Sequence, residues 1–161
     1  HFVDSIQIEA LLPEGAKTLY DLGTGAGFPG LVLAVLRPEL SVTLVESDSK
    51  KCAFLQTVSR ETGTPVAIQN SRIEAAATEL PAPDVITARA LAPLESLLNY
   101  VRPWVEAAPD LVLIFPKGEN WRSEIQAARA AGWTFDFTET KSETDKSARI
   151  LTLKNVRKSP V

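Results

Sequence analysis

The 161-residue chain has no methionine, one cysteine and one histidine. A lone thiol, Cys52, excludes an internal disulfide, and with a lone histidine it leaves no zinc-ligand spacing. Without an initiator methionine the sequence is expected to be part of a longer protein. Nowhere does an apolar run reach the roughly 18 residues of a membrane-spanning helix. There is also no signal-peptide pattern, so a cytoplasmic location is the expectation. Excess charge is missing too: a net charge of −3 argues against a protein that holds nucleic acid by its global field alone, while leaving room for a local basic patch. A share of 45% hydrophobic and 23% charged residues is that of an ordinary soluble protein. The length suits one domain with a sizeable core.

Glycine, by contrast, is concentrated: half of the 8 glycines lie between Gly23 and Gly30. The strand-like run Thr18-Leu19-Tyr20 leads into Asp21-Leu22-Gly23-Thr24-Gly25-Ala26-Gly27-Phe28-Pro29-Gly30, and the apolar run Leu31 to Leu36 follows as a helix. Glycines there let the backbone take positive φ and approach a ligand closely. Pro29 suits the first helical turn, whose amides then point at whatever occupies the loop. The pattern alone also fits a dinucleotide-binding turn. Asp21 discriminates: its carboxylate repels a pyrophosphate and attracts the ammonium of a methionine moiety. Glu46, ending the next strand, does not, because an acid there accepts ribose hydroxyls of NAD and of S-adenosylmethionine alike. A tight turn without a ligand is the bland alternative, and four glycines, a proline and two placed acids speak against it.

Periodicity predicts strands alternating with helices. His1 to Leu12 reads as a short helix ended by Pro13 and Gly15. Arg37-Pro38 closes the helix after the loop. Val42 to Val45 is a strand, and Ser47 or Asp48 caps a helix with Cys52, Leu55 and Val58 on one face, stopped by Gly63. Cys52 is then a small buried hydrophobe rather than a catalytic thiol. Val66-Ala67-Ile68 is the third strand, followed by an alanine-rich helix to Leu80 that Pro81 and Pro83 break. Asp84 to Ala88 is the fourth strand. The next helix places Leu94, Leu97, Leu98 and Val101 on one face and is ended or kinked at Pro103. Leu111 to Phe115 is apolar throughout, as a central strand covered on both faces should be. A helix from about Trp121 to Ala131 stops at Gly132. Such alternation implies a parallel sheet with right-handed crossovers. The polar stretch from Glu139 to Ala148 is too short for a crossover helix, so Trp133–Phe137 and Arg149–Leu153 should pair antiparallel. Only the tail from Lys154 to Val161 looks loosely ordered. The expected fold is one α/β domain over residues 1–161: a Rossmann-like, class I methyltransferase sheet, mostly parallel with an antiparallel last strand and helices on both faces.

The glycine loop, then Glu46-Ser47, Lys50-Lys51, Phe54-Leu55, Arg72-Ile73-Glu74, Ala88-Arg89-Ala90 and Lys117-Gly118, come in the order and spacing of the RsmG (GidB) family. The chain resembles that family from His1-Phe2-Val3-Asp4-Ser5 to about Leu153. The Phe-Pro-Gly continuation and the Arg-Ile-Glu and Ala-Arg-Ala triplets make the resemblance specific. It implies a bacterial enzyme that methylates N7 of a guanosine in 16S ribosomal RNA, free or in the small-subunit particle, using S-adenosylmethionine. It also implies a further helical segment before the position of His1. By resemblance, Gly23 and Phe28 line the cofactor, Ile73 and Glu74 lie beside the adenine, and Arg89 completes the pocket. Asp21, Gly25 and Glu46 join them from the reading of the loop. The bland reading of Glu74 is a solvated acid at a helix start, worth about 0.3–1 kcal/mol; that of Arg89 is a surface ion pair.

Methylation at guanine N7 needs no base, since N7 carries an in-plane lone pair and no proton. No catalytic side chain and no metal are therefore expected, and a monomer suffices. In a parallel sheet the loops after the strands share one edge. RNA contacts are accordingly expected from Lys117, Arg89, Lys141 and Lys146, in a patch where Lys50, Lys51, Arg72 and Arg149 mix with acids. Lys117, held between Pro116 and Gly118, is the favoured member; a solvated lysine is its bland equivalent. A small-molecule methyltransferase on the same fold, an NAD-dependent oxidoreductase and a binding module without chemistry remain the alternatives.

Overall fold

The computed structural model describes residues 2–89 and 91–160; His1, Ala90 of the Ala-Arg-Ala triplet and Val161 lie outside the described residues. Helix α1 (Phe2–Leu11) precedes β1 (Thr18–Leu22), α2 (Gly30–Leu36), β2 (Ser41–Glu46), α3 (Ser49–Thr62), β3 (Ala67–Asn70), α4 (Ile73–Glu79) and β4 (Val85–Ala88). Then come α5 (Leu94–Ala107), β5 (Val112–Lys117), α6 (Trp121–Ala130), β6 (Trp133–Lys141) and β7 (Arg149–Lys158). The strands form a 7-stranded sheet in the order β3-β2-β1-β4-β5-β7-β6. Strands β1 to β5 are mutually parallel, and the last strand, β7, runs antiparallel to both β5 and β6.

Side chains alternate across a strand, and β1 shows what that does here. Leu19 packs with Ile8, Leu33, Leu44 and Leu55 under the layer of α1, α2 and α3. Tyr20 and Leu22 face the opposite layer, where Leu97, Leu98, Val101 and Trp104 of α5 lie. Trp104 is 1% exposed, meets Tyr20 edge-on at 5.2 Å, and donates from its indole N–H to the Leu80 carbonyl at 3.0 Å. Its apolar body and its polar tip are both satisfied, as a buried tryptophan requires. Asp48 caps α3 through the amides of Lys50 and Lys51, and Gly63 ends it at φ 64°. Cys52 is buried.

Of the two outcomes expected at Pro103 the helix end is excluded: α5 passes through it to Ala107, because Pro103 and Asn99, whose carbonyl loses its partner, are both on the solvent side. Two further expectations are corrected. The stretch expected to be a loop from Glu139 is strand as far as Lys141, since an edge strand tolerates exposed polar residues. The tail is ordered to Lys158: Val156 is buried, and Trp133 pairs with Lys158.

Candidate active site

In order α-β sheets of this kind a ligand lies beyond the carboxyl ends of the strands, where neighbouring crossovers diverge. Here that point is between β1, which continues to β2, and β4 on its other side. The glycine loop occupies it. The Gly23 amide donates to the Val45 carbonyl at 2.8 Å, so the loop begins as an extension of the sheet.

Asp21 corrects the first reading. Its side chain is fully buried under the loop rather than facing its mouth. Oδ2 accepts from the Thr24 hydroxyl at 2.6 Å and from the Gly30 amide at 3.0 Å, and Oδ1 accepts from the Thr87 hydroxyl at 2.8 Å. One carboxylate thus pins the start of the loop, its end and the adjacent strand. Burial pushes the carboxyl up to about 6, against the downward pull of these hydrogen bonds and of the Arg89 charge. The helix-start amides are spent locally as well, Gly30 on Asp21 and Leu31 on the Gly27 carbonyl.

Above the loop, Gly23, Gly25, Glu46, Ile73 and Glu74 line one cavity of about 290 Å³. Gly25 has φ +57°, and a Cβ there would meet nothing nearer than the Gly23 carbonyl at 4.0 Å. The position demands glycine for its backbone and leaves the space above it for a ligand. Glu46 is 7% exposed; Oε1 accepts from the Gly25 amide at 2.9 Å and Oε2 from the Asp48 amide at 3.0 Å. Each oxygen keeps a further lone pair, so the carboxylate can brace the loop and still receive a hydroxyl. Ile73 is half-buried and Glu74 exposed at the start of α4. Leu91, Ala92 and Tyr100 also line this cavity and were not foreseen. The divergence of β1 and β4 was the only available signal for the first two; Tyr100 has none beyond its place on α5.

Phe28 lies elsewhere, in an apolar groove with Phe2, Leu31 and Val58 between α1, α2 and α3. Arg89 also lies outside the first cavity and lines a second one of about 480 Å³, which shares Leu91 and Ala92 with the first. Lys117, expected at the surface, turns inward. Its ammonium donates to the Ala92 carbonyl at 2.6 Å and pairs with Glu124 at 3.0 Å, and its side chain is 6% exposed. The same Glu124 oxygen accepts the Leu94 amide at 2.8 Å. Lys117 therefore fixes the wall between the two cavities. Lys141 and Lys146 are exposed beside the β6–β7 turn, and Lys51 and Arg72 are exposed at the rim of the first cavity.

Because the Lys117 ammonium is committed internally, Lys117→Ala should leave the salt dependence of RNA binding unchanged. A lysine lost from a phosphate would instead lower the slope of log K against log salt by roughly 0.7–0.9. Filter binding from 50 to 200 mM salt distinguishes the two. Among the described residues, no group of three or more histidine, cysteine, aspartate or glutamate side chains is placed to hold a metal ion. Among the described residues, too, no helix is long and apolar enough to cross a membrane.

Comparison with known proteins agrees with this geometry. A solved structure of magnesium protoporphyrin IX methyltransferase from Synechocystis PCC 6803, with bound SAM, superposes at a TM-score of 0.67. It is 16% identical and covers 96% of this chain and 79% of that one, a likeness of fold. In sequence, the chain is 46% identical to ribosomal RNA small subunit methyltransferase G of Rhodospirillum centenum, over 97% of its own length and 69% of the relative's. To the enzyme of the same name from Parvibaculum lavamentivorans it is 41% identical, with the same coverage. The family model for rRNA small subunit methyltransferase G matches residues 1–151, from α1 through the glycine loop and both cavities into β7, and the chain belongs to that family.

Proposed function

We propose that the chain transfers the methyl group of S-adenosylmethionine to N7 of a guanosine in 16S ribosomal RNA, acting in the cytoplasm as a monomer. One observation carries this reading: two cavities share Leu91 and Ala92, one floored by a glycine loop braced on Glu46, the other larger, open and mostly apolar, as the face of a base requires. A donor in the one and an acceptor in the other are neighbours, and need only meet in line beside the shared residues Leu91 and Ala92.

S-adenosylmethionine, when bound, supplies a methyl group already activated on a sulfonium. The protein's part is placement. Glu46 would receive ribose hydroxyls, and Ile73 and Glu74, which line the same cavity, would hold the adenine. Lys117 keeps Ala92 in place through its carbonyl. Since N7 brings its own lone pair, rate comes from orientation and exclusion of water rather than from proton transfer. A two-pronged arginine contact to O6 and N7 would cover the reacting atom, so Arg89 can serve only O6, a phosphate or the cofactor carboxylate.

Incubating the protein with labelled S-adenosylmethionine and unmodified small-subunit RNA, then mapping the label, should yield 7-methylguanosine at one position. Label on free small substrates and none on RNA would refute the reading. Glu46→Ala should weaken S-adenosylmethionine binding by about 10- to 100-fold in calorimetry, the effect of losing a charged hydrogen-bonding partner and the loop's brace.

A further inference from the structure

We propose that Asp4 is the residue that recognises the target base, accepting N1–H and the exocyclic amine of the guanine from the wall of the second cavity opposite Ala92. This rests on the N7 reading above.

The argument starts from the base. In guanine, N7 and O6 share one edge, while N1–H and the N2 amine lie on the other side of the six-membered ring. A guanine that turns N7 toward the donor, on the side of Leu91 and Ala92, therefore presents its two donors to the far wall. In the sheet order β4-β5-β7, the β6–β7 turn lies two strands beyond β4, and so beyond the wall shared with the first cavity. Asp4, in the first turn of α1, is tied to that turn. Its Oδ1 accepts the Ser142 hydroxyl at 3.3 Å and the Thr144 hydroxyl at 3.1 Å. Gln7, one helical turn on, adds a reciprocal pair, donating to the Lys141 carbonyl at 2.9 Å and accepting from the Glu143 amide at 3.1 Å. The carboxylate is thus held in one orientation, half-buried, with Oδ2 making no hydrogen bond among the described residues.

The other carboxylates of this cavity are worse placed. Glu124 has Oε1 engaged by Lys117 and the Leu94 amide, on the side of the shared wall. Asp145 is exposed and occupied by the amide and hydroxyl of Ser147 in its own turn. The chemistry also selects the base. An ionised carboxylate only accepts hydrogen bonds; guanine offers it two adjacent donors, whereas adenine puts an acceptor at N1. A site built to pair with donors rejects a base that lacks them more strongly than apolar contact could.

The test uses small-subunit RNA carrying guanosine or inosine at the target position, both with a free N7. Wild-type protein should prefer guanosine by about tenfold or more in kcat/KM, because inosine lacks the amine. Asp4→Asn should lower kcat/KM on guanosine by about 10- to 100-fold, bring the guanosine-to-inosine ratio within about twofold, and leave S-adenosylmethionine affinity unchanged. The double variant Ser142→Ala, Thr144→Ala frees the carboxylate from the turn that orients it without removing it, and should lower the guanosine preference only part of the way that Asp4→Asn does. Asp4→Asn with the wild-type ratio, or a wild-type protein that does not distinguish the two bases, would overturn the assignment while 7-methylguanosine formation still upheld the proposed function. Absence of 7-methylguanosine from the wild-type reaction would overturn both.

Discussion

Asp21→Ala should unfold at a temperature about 6–12 °C below the parent protein, the shift expected for roughly 3 kcal/mol in a domain of this size. The substitution strands the hydroxyls of Thr24 and Thr87 and the amide of Gly30, all of which donate to the carboxylate. Each buried donor without an acceptor costs about 1–3 kcal/mol, and relief from burying a charge offsets part of the sum. Asp21→Asn isolates that charge. The carboxyl titrates near 6 in the folded chain against an ordinary value of 3.8. Between those values the native state binds more protons than the unfolded one, so this group's contribution to stability is full below the lower value and is lost as pH rises through the upper. The loss amounts to about 3 kcal/mol, at about 1.4 kcal/mol per pH unit of separation. Urea titrations at pH 4.5 and 7 should therefore show the wild type's advantage over Asp21→Asn shrinking at the higher pH. An advantage that grew with pH would mean the carboxylate is stabilised in its ionised form.

Gly30→Ala should be damaging for a different reason. Gly30 sits in α2 with helical geometry, so no backbone strain is involved. A Cβ there, however, would lie 2.3 Å from Leu44 Cδ2 and 2.8 Å from Asp21 Oδ2. Leu44 is fully buried. Overfilling a packed core costs about 1–3 kcal/mol or more, and here the helix can move away only by lengthening its hydrogen bond to Asp21. The variant should combine a thermal shift of at least about 5 °C with cofactor affinity reduced about tenfold or more, because the loop is displaced with the helix. Gly118→Ala is the control: its Cβ would meet nothing within 4 Å, and stability should hardly change. Equal damage at both positions would mean that space around Gly30 is not the cause.

Much of this arrangement is legible in the sequence. The regular alternation, the Asp48 cap, the Gly63 stop and the antiparallel ending depend on local chemistry and segment length, which need no knowledge of distant contacts. So does the clustering of Gly23, Gly25, Glu46, Ile73 and Glu74, since strand ends in a parallel sheet share an edge. The period of two also turns Asp21 to the side of Leu19, beneath α2, whereas the glycine loop that follows it suggests a side chain facing a ligand. Lys117 was hidden because β5 is apolar on both faces, so alternation carries no direction, and its partner Glu124 belongs to the following helix. The groove that Phe28 lines could not be read, because it is assembled from α1, α2 and α3, which only the tertiary fold brings together. The closure of the second cavity could not be read at all: Asp4 and Ser142 are separated by 138 positions.

That separation has a bearing on how the enzyme is made. A chain growing from its amino end has delivered every residue of the donor cavity by Tyr100, but the hairpin that faces Asp4 arrives among the last elements. Because β5, β7 and β6 complete the one sheet that carries both cavities, and a domain folds as a unit, the second cavity closes only when the last strands have paired.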